Sequence, residues 1–172
     1  QDGGDKYEQK YTEMKGRRYK DLMNHYTDIK ERKDLVKDVD EIMVKLEQYV
    51  GKQNMPAYHD FLGMFGRMMV NRFCLMDTTM TILGSSLYLS ASIFDHACNP
   101  NAYVSFKGKN VVIRSLVDMD VMDLSKIRIG YIDLIKPSRD RMSELHDKWF
   151  FWCDCSSCHD ELKQAFELSA AC

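Results

Sequence analysis

The sequence predicts a mixed α+β domain, and three observations carry that prediction. Residues 17–70 repeat apolar side chains at three- and four-residue steps, the period of amphipathic helices. After Asn71 the pattern changes to short β-prone runs separated by Gly, Asn and Asp. Further on, Cys153-Asp154-Cys155-Ser156-Ser157-Cys158 sets three cysteines at C-x-C-x2-C spacing, one short of the four that close a tetrahedral zinc site. Cys98 is the natural fourth, and such a pairing would tie the middle of the chain to its C-terminal part.

Taken in order, residues 1–16 are polar and glycine-containing and are expected to fray. From Arg17 to Val50, Leu35, Val39, Ile42, Met43, Leu46, Tyr49 and Val50 mark the apolar side of a helix or helix pair. The mixed-sign run Lys30-Glu31-Arg32-Lys33-Asp34 reads as a solvated helix face and not as a nucleic-acid arm. Gly51 should stop this helix, and Pro56 should sit in the first turn of the next, whose buried side is Tyr58, Phe61, Leu62, Phe65, Met68 and Met69. The β-prone runs are 73–76, 79–83, 86–89, 103–106, 111–116 and 127–131. Lys107-Gly108-Lys109-Asn110 predicts a hairpin turn inside 103–116. Ser138 should cap a last helix that buries Met142, Leu145 and Trp149.

Composition narrows the function classes. The 172 residues are 45% hydrophobic and 29% charged, enough for one domain with a sizeable core and a helical appendage. A net charge of −2 implies no global attraction to nucleic acid or anionic lipid. No apolar run approaches the roughly 18 residues of a membrane span, and no basic segment precedes an apolar stretch at the N-terminus. The chain reads as soluble and not secreted, and the expected location is intracellular, in the nucleus, the cytoplasm or both, with neither nucleic acid nor membrane as a direct partner. For the six cysteines zinc is the better reading, because three of them within six residues are awkward disulfide partners. Free buried thiols and disulfides are the alternatives. Cys74 is expected in the core, Cys172 in the tail, and His159 is a second candidate ligand.

The stretch 87–101, ending in Asp95-His96-Ala97-Cys98-Asn99-Pro100-Asn101, resembles the SET-domain motif N-H-S-C-x-P-N. Gly130-Tyr131-Ile132-Asp133 resembles the later Y-x-D segment, and the C-x-C-x2-C cluster resembles the post-SET zinc knuckle. Together these are most similar to the SET-and-MYND (SMYD) lysine methyltransferases. The resemblance implies a SET-like fold with residues 17–70 as a helical insertion, 71–148 as the C-terminal SET core and 149–172 as the zinc knuckle and tail. It implies S-adenosylmethionine as methyl donor, a lysine on a protein (a histone tail or another substrate) as acceptor, and one structural Zn2+ on Cys98, Cys153, Cys155 and Cys158. By position, Tyr131 would be the catalytic tyrosine, Asp95, His96 and Phe151 would hold the donor, Asn101 would support the turn, and Phe73 and Trp149 would wall the lysine channel.

The chain also leaves the family's pattern. Asp95 stands for the motif's Asn, which keeps an acceptor oxygen, removes the amide donor and adds a negative charge. Ala97 stands for its Ser, and the G-E-E segment expected before the tyrosine strand is replaced by residues 119–126. Residues 1–50 do not resemble the N-terminal SET half, and the ligands of a MYND module are not seen. The expectation is then a part of a longer protein or a reduced, inactive relative; the rival expectation is a non-catalytic, zinc-stabilised peptide-binding module.

Overall fold

The computed structural model describes residues 17–77, 79, 81–119, 123–160 and 169; residues 1–16, Cys172 and most of the tail after the knuckle lie outside the described residues. The chain divides into two compact units, Gln1–Arg72 and Phe73–Cys172. Helices and short strands together make it α+β.

The first unit is helical. A short α1 (Tyr26–Ile29) leads into α2 (Lys33–Val50), which Arg32 opens with a two-pronged pair to Asp34 at 2.9 and 2.7 Å. Gly51 ends α2 at φ 79°, its N–H donating to the Glu47 carbonyl at 2.9 Å. Along α2 the apolar side is buried at Val39 and half-buried at Leu35, Met43 and Leu46, whereas Ile42, Val50 and especially Tyr49, 89% exposed, face outward. The second long helix, α3 (Tyr58–Asn71), starts two residues after Pro56, so the proline precedes the helix and does not sit in its first turn.

The buried side of α3 is Phe61, Leu62, Gly63 and Gly66; Tyr58 and Met68, expected inside, are exposed. Gly66 explains that choice. A Cβ there would lie 1.9 Å from the Asn24 carbonyl oxygen and 2.7 Å from Ile29, so the helix approaches residues 24–29 through its glycine side. Asn71 and Tyr19 fix the contact by donating to the Met23 and Met64 carbonyls at 2.8 and 2.9 Å.

The second unit is built on three two-stranded pairs. The first joins β1 (Arg72–Met76) to β2 (Ile82–Leu87), the latter a single strand where two runs were expected. Cys74 on β1 is exposed, contrary to its expected core position, because strand alternation turns it away from its neighbours Phe73 and Leu75. The predicted hairpin forms from β4 (Ala102–Lys107) and β5 (Asn110–Ser115), antiparallel from Ala102↔Ser115 to Lys107↔Asn110. Its two-residue turn has Gly108 at φ 58° and Lys109 outside the positive-φ region, the II′ pattern that follows strand twist.

The third pair places the site. The two-residue strands β3 (Asp95–His96) and β6 (Arg128–Ile129) run parallel in register Asp95↔Arg128 and His96↔Ile129, and the Ala97 N–H extends them to the Ile129 carbonyl at 3.1 Å. Asn101 clamps this junction: its amide donates to the Lys126 carbonyl at 2.9 Å and its oxygen accepts the Arg128 N–H at 2.7 Å. Phe94, Ala102, Ile127 and Ile129 form the core beneath, with Phe73 and Tyr131 packed against it.

Two helices complete the unit, α4 (Ser138–Trp149) and the short α5 (Ser156–His159). The cap of α4 is Pro137 and not Ser138. Ser138 is the first residue of the helix and fully buried, its hydroxyl accepting a hydrogen bond from Arg141 at 2.9 Å.

Candidate metal centre and tyrosine site

Three elements position the cysteines. Cys98 follows β3; Phe150, left-handed at φ 60°, ends α4 and turns the chain toward Cys153; Cys155 precedes α5 and Cys158 lies within it. The four sulfur atoms lie within 4.8 Å of one another, with Cys98 3.5 Å from Cys158 and 3.9 Å from Cys153. Sulfurs of a tetrahedral zinc centre, each about 2.3 Å from the metal, stand about 3.8 Å apart, so the donor set fits the ion, and these separations are far too long for disulfides. His159 is exposed and outside the cluster.

The protonation of the thiols points the same way. Burial pushes Cys153 up to about 11 and raises Cys158 as well. Burial also opposes ionisation of Cys155, but hydrogen bonds from the Cys98 and Cys158 backbone and from the neighbouring thiols outweigh it and bring it down to about 7. Four clustered sulfurs therefore do not all ionise by themselves; a divalent cation would supply the missing charge.

Arg141 was not anticipated from the sequence, yet it is the largest fully buried side chain of the described residues, 1% exposed. Its guanidinium donates to the Lys136 carbonyl and to Ser138. Burial works against its charge, but hydrogen bonding to Cys98 and Cys158 outweighs this and raises its pKa. A buried cation thus sits beside two of the four sulfurs. A sequence signal existed: Arg141 is four residues before Leu145 and eight before Trp149, on the side of α4 read as buried.

Next to the sulfurs lies an aromatic set. The Tyr131 ring is 5.4 Å from both His96 and Trp149, and Phe151 is 6.2 Å from His96. The Tyr131 hydroxyl donates to the Phe94 carbonyl at 2.6 Å; burial, then the charge of Asp95, push its pKa up to about 12. The Tyr131 N–H donates to His96 Nδ1 at 3.1 Å, and His96 Nε2 lies 3.2 Å from the Cys98 sulfur. Burial and the charge of Arg141 push His96 down to about 4, so its ring is neutral.

Tyr131, His96, Trp149, Phe151 and the four cysteines are thereby brought together. Phe73 meets Tyr88 edge-on at 5.7 Å and shares the Phe94 core with Tyr131. Asp95 is different: its side chain is 76% exposed, with Arg128 at 4.0 Å. Among the described residues no helix is long and apolar enough to cross a membrane.

No family model matches the chain. Curated proteins do. The chain is 29% identical over 123 residues to human histone-lysine N-methyltransferase SMYD3, covering 72% of this chain and 28% of that protein. It is 30% identical over 129 residues to N-lysine methyltransferase SMYD2 of Rattus norvegicus, with 74% and 29% covered. Over 105 residues it is 33% identical to N-lysine methyltransferase SMYD2-A of Xenopus laevis, with 61% and 24% covered. The chain spans less than a third of the length of these relatives. With a SET-type motif turn, a following tyrosine segment and a four-thiol cluster in one unit, the chain is a SMYD-like SET-domain protein.

Proposed function

We propose that the chain carries the tyrosine side and the metal side of an S-adenosylmethionine-dependent protein lysine N-methyltransferase acting in the nucleus or cytoplasm. The observation that supports this most is the meeting of Tyr131, His96, Trp149 and Phe151 beside four clustered thiols. In this reading Tyr131 is catalytic, Asp95, His96 and Phe151 border the donor, and Phe73 and Trp149 wall the lysine channel. Cys98, Cys153, Cys155 and Cys158 hold one structural zinc ion, whose four sulfurs leave no open position for a reactive water. Residues 17–70 form the helical insertion, 71–148 the C-terminal SET core and 149–172 the knuckle and tail. The acceptor is a lysine on a protein, a histone tail or another.

The donor supplies an activated methyl group. The chain's own residues supply alignment, exclusion of water and a neutral hydroxyl. Alignment of reacting groups is worth about 7–11 kcal/mol of a barrier. With its pKa at about 12, the Tyr131 hydroxyl stays protonated at neutral pH beside its carbonyl acceptor. The faces of Tyr131 and Trp149 attract an ammonium or methylammonium group. The exposed Asp95 carboxylate suits the ammonium of the donor's amino-acid part.

Asp95 and Ala97, which replace the motif's Asn and Ser, favour a second reading, a non-catalytic zinc-stabilised module that binds a peptide and transfers nothing. Calorimetric titration of the zinc-loaded chain with S-adenosylmethionine separates the two. Heat of binding, together with methyl transfer that Tyr131→Phe lowers about 100-fold or more while donor binding persists, is the expected result. No heat at millimolar donor would leave the binding module standing and sink the enzyme.

A further inference from the structure

His96 stands between the two halves of the site, and its ring nitrogens have different partners. A backbone N–H can only donate, so the Tyr131 N–H at 3.1 Å requires Nδ1 to be the unprotonated nitrogen. A neutral ring then carries its proton on Nε2, which lies 3.2 Å from the Cys98 sulfur. A thiol or thiolate sulfur accepts such a proton, and a metal-bound thiolate accepts it best because it is charged. The Tyr131 and Phe151 rings lie tilted against it at 5.4 and 6.2 Å, and β3 holds its backbone against Ile129. The Ile129 backbone is a further hydrogen-bonding neighbour of the ring.

We propose that His96 is a positioning residue that couples the metal centre to Tyr131, donating from Nε2 to the Cys98 thiolate and accepting the Tyr131 N–H at Nδ1. Any contact of residue 96 with the methyl donor then comes from its backbone and ring face. The chain of bonds is short: metal, Cys98 sulfur, His96 ring, Tyr131 backbone, Tyr131 hydroxyl, Phe94 carbonyl. A metal on the Cys98 sulfur would anchor the acceptor of the Nε2–H bond and so fix the ring that holds the tyrosine. Outer partners of this kind change metal affinity about 10- to 100-fold. The inference rests on the zinc reading given above, and the test separates the two.

The test is NMR of the full chain loaded with cadmium-113, a spin-active substitute for zinc. The expected result is a scalar coupling from the metal through the Cys98 sulfur to the His96 Nε2–H, with Nδ1 unprotonated. A second measurement needs no assignment: His96→Phe keeps a ring of similar size without nitrogens, and should weaken cadmium binding about 10- to 100-fold in competition with a chelator. Metal bound at four sulfurs with no coupling to His96, or with the proton on Nδ1, would overturn the inference and leave the metal site intact. A chain that binds no cadmium would overturn both.

Discussion

At the residue scale, burial places a charged group where side-chain type alone gives no reason to expect it. Arg141 lies in a polar helix, Ser138-Arg139-Asp140-Arg141-Met142-Ser143-Glu144, and its burial follows from a face shared with Leu145. Its cost of burial is offset only where negative charge is present, and the thiolates of a loaded metal centre supply that charge. Arg141→Met, similar in volume and uncharged, should destabilise the zinc-loaded chain by about 3–5 kcal/mol in chemical denaturation. In the metal-free chain, where burial holds Cys153 and Cys158 toward the protonated form, the loss should be smaller; equal losses in both would show that Arg141 answers to packing alone.

Tyr131 offers a second measurement at this scale. Its phenol is raised from 10 to about 12, so the folded state keeps the proton that the unfolded chain gives up between those values. Its contribution to stability is therefore fully present below pH 10 and is lost as pH rises from 10 through 12. Absorbance at the phenolate band, with Tyr131→Phe as the difference control, should find this tyrosine silent until the upper end of that range. The cysteines and Tyr131 were legible because spacing and motif order single them out. Arg141 and the second role of His96 were not, because burial of a charged side chain and the choice of ring tautomer are decided by neighbours distant in sequence.

At the element scale, what could be read was periodic or punctuated. The hairpin of β4 and β5 follows from Gly108 in its turn, and the end of α2 follows from Gly51. Periodicity also found the buried stripe of α2 at Val39. It failed on α3, where apolar Tyr58 and Met68 face outward and glycines face inward, because close backbone approach and not side-chain volume decides that contact. Ser138 shows the same limit: its type suits a cap, but the helix starts one position earlier than expected, with Pro137 at the cap. Gly66→Ala tests the α3 contact. Its methyl would meet the Asn24 carbonyl at 1.9 Å, so helix and segment must separate, at a cost of about 1–3 kcal/mol seen as a lower melting temperature. An unchanged melting temperature would mean that α3 does not dock through this glycine.

At the scale of the whole molecule, the second unit is organised by a closure. Cys98 and Cys158 are 60 residues apart in sequence and 3.5 Å apart in space, with β4, β5, β6 and α4 between them. A metal there constrains the unfolded chain as a cross-link would, and its binding energy is folding energy for this unit. The same closure brings Phe151 and Trp149 back against His96 and Tyr131, so the aromatic set depends on it. Elemental analysis of the purified chain and two variants tests that dependence most directly. The account predicts about one zinc per chain, lost equally in Cys98→Ser and Cys155→Ser. Zinc retained at full stoichiometry in Cys98→Ser would contradict it, since the motif turn and the C-terminal knuckle would then not share a metal.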